Sequence, residues 1–110
     1  VTVRGTNVYQ TAVENLLAET PGISMHYELV LTRESDNDIM TVRFEPEKAI
    51  ADDRTEWGMI AQAAAERIHK ALHVRLEVKA VDPGSLPRYE LKTKRIVDQR
   101  PKEFRRTLDR

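Results

Sequence analysis

The amino-acid sequence predicts an α+β fold in which two helices lie on one face of a small, mainly antiparallel sheet. Two stretches repeat apolar residues with the i, i+3, i+4 spacing of a helix, and shorter stretches alternate apolar and polar residues as half-buried strands do. The resulting order is β-α-β-β-α-β, which packs economically with both helices against one sheet. All 110 residues (1-110) are expected to form one domain that ends in a lysine-bearing loop and a C-terminal tail.

The first strand and the first helix are predicted from the N-terminal part of the chain. Residues 1–8 are expected to form a strand or an extended entry. Thr11 and Glu14 have the spacing of a capping box, in which each side chain bonds a backbone N–H at the start of a helix. The helix is expected to end by Pro21-Gly22. Its apolar face consists of Ala12, Val13, Leu16 and Leu17.

A β-hairpin is predicted next. Residues 26–34 and 39–45 both alternate apolar and polar side chains, and the polar residues 35–38 join them. The apolar positions of the two strands fall on one side, so this side is expected to face the helices. These positions are Tyr27, Leu29, Leu31, Met40, Val42 and Phe44.

The second half begins with the longer helix. Asp53 and Glu56 repeat the capping-box spacing, and the apolar period that follows predicts a helix to about His73. Residues 74–80 then alternate apolar and charged side chains, which predicts a strand with one solvent-exposed face. The apolar positions of the helix are Trp57, Ile60, Ala61, Ala64, Ile68, Ala71 and Leu72.

Composition and charge exclude several classes of function. The chain has no cysteine, which excludes a disulfide framework and a thiol nucleophile, and no apolar run approaches the roughly 20 residues of a membrane span. Net charge is zero, but residues 88–110 carry nine Lys or Arg against four Asp or Glu. Aromatic residues make up 5% of the chain, too few for a stacking platform, so no nucleic-acid partner is predicted.

No metal site or hydrolase triad is predicted. His69 and His73 have the i, i+4 spacing of two zinc ligands, but Lys70 stands where a glutamate base would be needed, and no third ligand is evident. Both histidines are expected near a helix C-terminus, where a cationic imidazole is favourable. The serines lack the context of a nucleophile elbow.

The most informative segment is 83–98, Pro-Gly-Ser-Leu-Pro-Arg-Tyr-Glu-Leu-Lys-Thr-Lys-Arg-Ile-Val-Asp. Its turn residues, with Gly84 supplying backbone freedom, precede two lysines and two arginines. A lysine on a long flexible stem suits an anion that arrives from elsewhere. From composition alone, a solvated basic tail is the other interpretation.

This segment resembles the closing motif of the phenylacetate-CoA ligase family, in which Pro-Gly-Ser-Leu-Pro-Arg is followed by Ser-Glu-Gly-Lys and Arg-Val. Residues 3–9, Val-Arg-Gly-Thr-Asn-Val-Tyr, resemble that family's Arg-Gly-Val-Asn-Val-Phe segment. The two matches occur in the family's order and bracket most of the chain.

The resemblance implies the C-terminal lid domain of an ATP-dependent, AMP-forming ligase that adenylates an aryl carboxylic acid and transfers it to coenzyme A. Its partner would be a much larger N-terminal adenylation domain, which is absent from this chain. The full-length enzyme would use ATP, coenzyme A and Mg in aromatic acid catabolism, while this chain alone would bind none of them and be inactive. A cytoplasmic location, an aromatic acid substrate and a homodimer are further expectations, without nucleic acid or membrane.

By the same resemblance, Lys92 matches the family's catalytic lysine, which stabilises charge on phosphoryl oxygens during adenylation. Arg4 and Gly5 match a loop that approaches the active site in the thioester-forming orientation. The expected auxiliary contacts to phosphate or coenzyme A are Arg88, Lys94 and Arg95.

Departures and alternatives stay open. Leu91 stands where the family usually has glycine, so the loop either has negative φ here or departs from the family's geometry. Lys94 could take over the role of a displaced Lys92. A related adenylating enzyme that acts on another acid, or passes it to a carrier protein, fits the same residues. From a different class, a non-catalytic ferredoxin-like regulatory or dimerisation module is the alternative.

Overall fold

The computed structural model describes residues 2–3, 6–88 and 95–101. Within these ranges lie two α-helices, six strands and a 3-10 turn. No helix in these ranges is long and apolar enough to cross a membrane. The elements are β1 (Thr2–Val3), β2 (Thr6–Asn7), α1 (Gln10–Ala18), β3 (Ile23–Glu34), β4 (Asn37–Pro46), the 3-10 turn (Lys48–Ile50), α2 (Arg54–Leu72), β5 (Glu77–Ala80) and β6 (Ile96–Asp98).

The main sheet is mixed, with the strand order β5-β4-β3-β6. The central pair β3 and β4 is antiparallel, whereas β5 pairs with β4 and β6 pairs with β3 in parallel. The α+β class is therefore confirmed, but the prediction of a mainly antiparallel sheet is wrong. The cause is the connection through α2: a helical crossover returns the chain to the end of the sheet at which β4 began, so β5 runs in the same direction as β4.

The two ends of the chain also differ from the predicted order. The described residues of the predicted entry strand do not join the main sheet, because they form β1 and β2, which pair with each other in a separate two-stranded sheet. The edge beside β3 is taken by β6, from a segment assigned to a loop and tail. Buried Arg100 fixes this strand, since its guanidinium donates to the carboxylates of Asp98 at 2.7 Å and Asp38 at 2.8 Å.

The predicted hairpin is confirmed and is longer than expected. Strands β3 and β4 pair up to Glu34 opposite Asn37, so the link is reduced to Ser35 and Asp36. Both link residues have positive φ, 49° and 66°, which suits the twist of a two-residue hairpin. Aspartate tolerates this conformation better than most side chains do, although the link contains no glycine.

The core lies between the helices and one face of the main sheet. The cross-strand pairs Tyr27↔Phe44, Leu29↔Val42 and Leu31↔Met40 place the six predicted apolar residues on the same face, and all six are buried. Both helices pack on this face, as predicted. Their buried contributions to the core are Val13, Leu17, Ile60, Ala64 and Ile68.

The two predicted capping boxes have different outcomes. At α2, Asp53 is the N-cap and its Oδ1 accepts a hydrogen bond from the backbone N–H of Glu56 at 3.0 Å, which confirms the predicted cap. The reciprocal bond of the box is not formed, because the Asp53 N–H donates to the Ile50 carbonyl at 3.0 Å. At α1 the prediction is wrong, because the N-cap lies two residues earlier, at Tyr9, whose side chain makes no capping bond to the helix backbone. Glu14 is instead buried and accepts from the Tyr27 hydroxyl.

Candidate functional site

The loop 83–88, which follows β5, is held by a single buried carboxylate. Glu45 lies near the end of β4 and is only 2% exposed. Its Oε1 accepts from the backbone N–H of Gly84 at 2.8 Å, and its Oε2 accepts from that of Leu86 at 3.0 Å. The Arg88 guanidinium adds two more bonds, from Nη1 to Oε2 at 2.6 Å and from Nη2 to Oε1 at 3.1 Å. We call this arrangement the Glu45 clamp.

Local sequence explains why the loop can wrap around the carboxylate. The pairing of β4 with β5 continues to Val81, whose N–H donates to the Phe44 carbonyl at 2.8 Å. The chain then turns, and Gly84 adopts φ 85°, a conformation that disfavours residues with a side chain. Leu86 is 5% exposed and anchors the turn by packing. Gly84, Leu86 and Arg88, which alternate along the loop, thereby direct their N–H donors toward the Glu45 carboxylate.

The clamp lowers the pKa of Glu45. Burial by itself would raise the pKa, but the hydrogen bonds from Arg88, Gly84 and Leu86 favour the charged carboxylate and lower the value from 4.5 to about 2. The carboxylate is therefore ionised, and the loop held, throughout the neutral range.

Acid should release this stabilisation. Since the folded pKa lies below the unfolded value, the stabilisation is complete above about pH 4.5 and is lost as the pH falls toward 2. The shift corresponds to about 3 kcal/mol. Urea unfolding of the 110-residue chain should show Glu45→Gln less stable than wild type at about pH 6, with a gap that narrows between about pH 4.5 and 2. A gap that is constant with pH would contradict the ionic character of the clamp.

A second anchor lies on the other side of the lysine-bearing segment. Arg95 Nη1 donates to the Tyr27 hydroxyl at 2.8 Å, and its guanidinium carbon lies 4.4 Å from the centre of the Tyr27 ring. The hydroxyl in turn donates to Glu14 Oε2 at 2.8 Å. Burial, together with the hydrogen bond to Glu14, raises the pKa of Tyr27 to about 12, so the phenol stays neutral and keeps its proton to donate.

The two anchors define where the predicted catalytic segment starts and ends. Residues 89–94 connect Arg88 on the Glu45 clamp to Arg95 on Tyr27, and Lys92 lies in this stretch. Lys92 and Lys94 are outside the described residues, as are Arg4 and Gly5, so the structure does not place these four against one another. The structure does place Arg88 and Arg95, the two residues that flank the stretch containing Lys92.

Arg88 and Arg95, predicted as auxiliary contacts to phosphate or coenzyme A, are both engaged within the chain. Half of the Arg88 side chain remains exposed, at 49%, although both of its terminal nitrogens bond Glu45. A cleft of about 610 Å³ opens beside it and is also lined by Ser24, His26 and Lys48. For Arg88 and Arg95, the role as contacts to phosphate or coenzyme A stays a prediction.

No motif in the sequence singles out Glu45 as a functional residue. Its neighbours Met40, Val42 and Phe44 occupy the alternating core positions, which assigns Glu45 to the polar face of β4. It is buried because the loop from 84 to 88, some 40 residues away in sequence, folds over it. The signal that was available is Arg88 itself, a cation that a buried acid could pair with.

The chain matches a known class of domain. Residues 5–100 match the model of the family described as the AMP-binding enzyme C-terminal domain. The chain therefore belongs to this family, and the resemblance seen in residues 3–9 and 83–98 is confirmed. The matched range includes Gly5 and all of 83–98, whereas Arg4 lies just before it.

Curated relatives carry a consistent name. The chain is 30% identical over 104 residues to a phenylacetate-coenzyme A ligase from Aromatoleum evansii and 31% identical over 112 residues to one from Thermus thermophilus. These matches cover 92% and 89% of this chain but 24% and 25% of the relatives. The chain thus spans about a quarter of the length of the curated relatives it matches.

Solved structures share this fold. A 2-hydroxyisobutyryl-CoA ligase, solved with 2-HIB-AMP and CoA in the thioesterification state, superposes with a TM-score of 0.79 at 31% identity over 90% of this chain and 21% of its own. A domain of phenylacetate-coenzyme A ligase from Bacteroides vulgatus has a TM-score of 0.78 at 24% identity and is covered to 93%, as is this chain. The second likeness shows the fold alone.

Proposed function

We propose that this chain is the C-terminal lid domain of an ATP-dependent, AMP-forming acid-thiol ligase that adenylates an aryl carboxylic acid and transfers the acyl group to coenzyme A. The observation that carries the proposal is the anchored loop: the motif that matches the family's closing segment is fixed at Arg88, four residues before Lys92. The sequence relatives named phenylacetate-coenzyme A ligase support an aryl acid and coenzyme A.

In this mechanism the chain contributes charge and position. Attack of the substrate carboxylate on the α-phosphorus of ATP forms the acyl-phosphate bond and releases pyrophosphate, and negative charge grows on the phosphoryl oxygens. The Lys92 ammonium would neutralise this charge, which is worth most in a closed, water-poor site. The thiol of coenzyme A then displaces AMP from the acyl-adenylate, with Arg4 and Gly5 near the reacting groups.

ATP, coenzyme A and Mg²⁺ would be held mainly by the larger N-terminal domain. Among the described residues, no group of three or more His, Cys, Asp or Glu could hold a metal ion. In the proposed mechanism, Mg²⁺ would arrive with the ATP phosphates on the partner domain. A homodimer and a cytoplasmic location are further predictions.

Comparing the full-length protein with its parts tests this proposal. The full-length protein should form AMP and a thioester only when an aryl acid and coenzyme A are both supplied, and deletion of residues 1–110 should abolish turnover. The isolated 110-residue chain should bind ATP more weakly than about 1 mM in calorimetric titration, because its four glycines are scattered and form no phosphate-binding loop. A micromolar ATP site on this chain, or a full-length protein without acid-dependent AMP formation, would refute the proposal and favour a regulatory module.

A further inference from the structure

We propose that Glu45 is a positioning residue for Lys92, acting through the loop 84–88 and touching no substrate itself. This inference rests on the proposed function, in which Lys92 must reach a site outside its own domain. Glu45 binds three loop residues, Gly84, Leu86 and Arg88, all of which precede Lys92 in the chain. The loop 84–88, which precedes Lys92 in the chain, is therefore bonded to the sheet before any ligand arrives.

The clamp is built on the central part of the main sheet. Strand β4 is internal in the main sheet, paired with β3 on one side and β5 on the other. The neighbouring residue Phe44 is fully buried in the core. A side chain on such a strand holds its carboxylate more precisely than one on a loop does, because the preceding residue, Phe44, is paired with Tyr27 of β3 and with Ala80 of β5.

An ionised carboxylate is the group this arrangement requires. Four N–H donors converge on Glu45, and two carboxylate oxygens can accept all of them. A glutamine of the same shape would keep one acceptor oxygen and turn its NH₂ group toward the remaining donors. The loop could then keep at most the two hydrogen bonds that the remaining oxygen accepts. Arg88 would also lose its charged partner.

The decisive variant is Glu45→Gln in the full-length protein, followed in each half-reaction separately. Acid-dependent pyrophosphate release should fall about tenfold, because Lys92 is presented less precisely. Thioester formation from preformed acyl-adenylate should stay within about twofold of wild type, since the lysine serves the first half-reaction. Rates are compared at temperatures well below both melting points.

A control for general weakening of the hairpin lies at its far end. Arg33 on β3 is ion-paired to Asp38, which sits seven residues from Glu45 on β4, about 23 Å away. Arg33→Ala leaves the bonds from Arg100 that fix β6 in place. It should lower the melting temperature and leave both half-reactions within about twofold of wild type. A similar selective loss in Arg33→Ala would mean that any weakening of the hairpin slows adenylation, and would overturn the role of Glu45.

Arg88→Ala separates the clamp from direct ligand contact. This variant leaves the bonds from Gly84 and Leu86 to Glu45 in place, so the loss of adenylation should be smaller than in Glu45→Gln. A larger loss would show that Arg88 itself contacts phosphate and that the clamp is secondary.

A double variant tests whether Glu45 acts through Lys92. If it does, Lys92→Ala with Glu45→Gln should release pyrophosphate as slowly as Lys92→Ala alone, because the positioned group is already gone. Additive losses would overturn the inference.

The single variants distinguish failure of this inference from failure of the proposed function. Normal adenylation by Lys92→Ala would refute the proposed function. Slow adenylation by Lys92→Ala, together with a folded and fully active Glu45→Gln, would refute only this inference. Should Glu45→Gln not fold, the cycle is run with Arg88→Ala, and additivity there counts against the clamp.

Discussion

Replacing Lys92 with alanine in the full-length protein is expected to lower acid-dependent pyrophosphate release by about 100-fold or more. The ammonium would stabilise charge that develops on phosphoryl oxygens only in the transition state, so its removal should reduce the rate of adenylation more than the binding of ATP. Thioester formation from preformed acyl-adenylate should be much less affected. The measurement is pyrophosphate release with saturating acid, beside thiol consumption with supplied acyl-adenylate.

Lys94→Ala is the matched control for this experiment. It removes the same charge two residues further along and should have a mild effect on both half-reactions. The reverse ranking, with Lys94 essential and Lys92 dispensable, would show that Leu91 in the place of the family's glycine has shifted the register of the segment. Equal losses in both half-reactions for Lys92→Ala would mean that the residue is structural.

Gly5→Leu should have the opposite signature. If the Arg4-Gly5 segment approaches the active site only in the thioester-forming orientation, a bulky side chain there obstructs the second half-reaction and spares the first. Thioester formation should fall by about 100-fold, as for other displacements of about 1 Å at a reacting centre, while pyrophosphate release stays near wild type. Acyl-adenylate should accumulate and little acyl-CoA should be released.

Misfolding must be excluded for this variant, since a glycine with positive φ would make leucine destabilising for reasons unrelated to the reaction. A melting temperature near wild type is one control. Gly58→Leu is the other, because Gly58 is exposed on α2 and a Cβ there meets no atom within 4 Å. It should leave both half-reactions unchanged. If Gly5→Leu slowed adenylation as much as transfer, or affected neither, the division of labour between the two ends of the domain would be wrong.

Local signals in the sequence were reliable where neighbouring residues decide the structure. The long helix α2 and its cap at Asp53 follow from a repeat and a spacing within a few residues, and both are found. The hairpin is likewise set by two alternating stretches around a short polar link. The same capping pattern failed at α1, because the carboxylate of Glu14 is taken by the Tyr27 hydroxyl, thirteen residues away. A tertiary partner thus replaced the local one.

By itself, the sequence determined the α+β class, the helical and strand faces that form the core, and membership of the AMP-binding enzyme C-terminal domain family. Only the tertiary structure decided that the sheet is mixed, that residues 96–98 complete its edge, and that Glu45 holds the loop before Lys92. The physical reason is the distance along the sequence between the residues that interact. Periodicity records which face of an element is apolar, but the burial and ionisation of Glu45 depend on donors about 40 residues away, which meet it only once the sheet has formed.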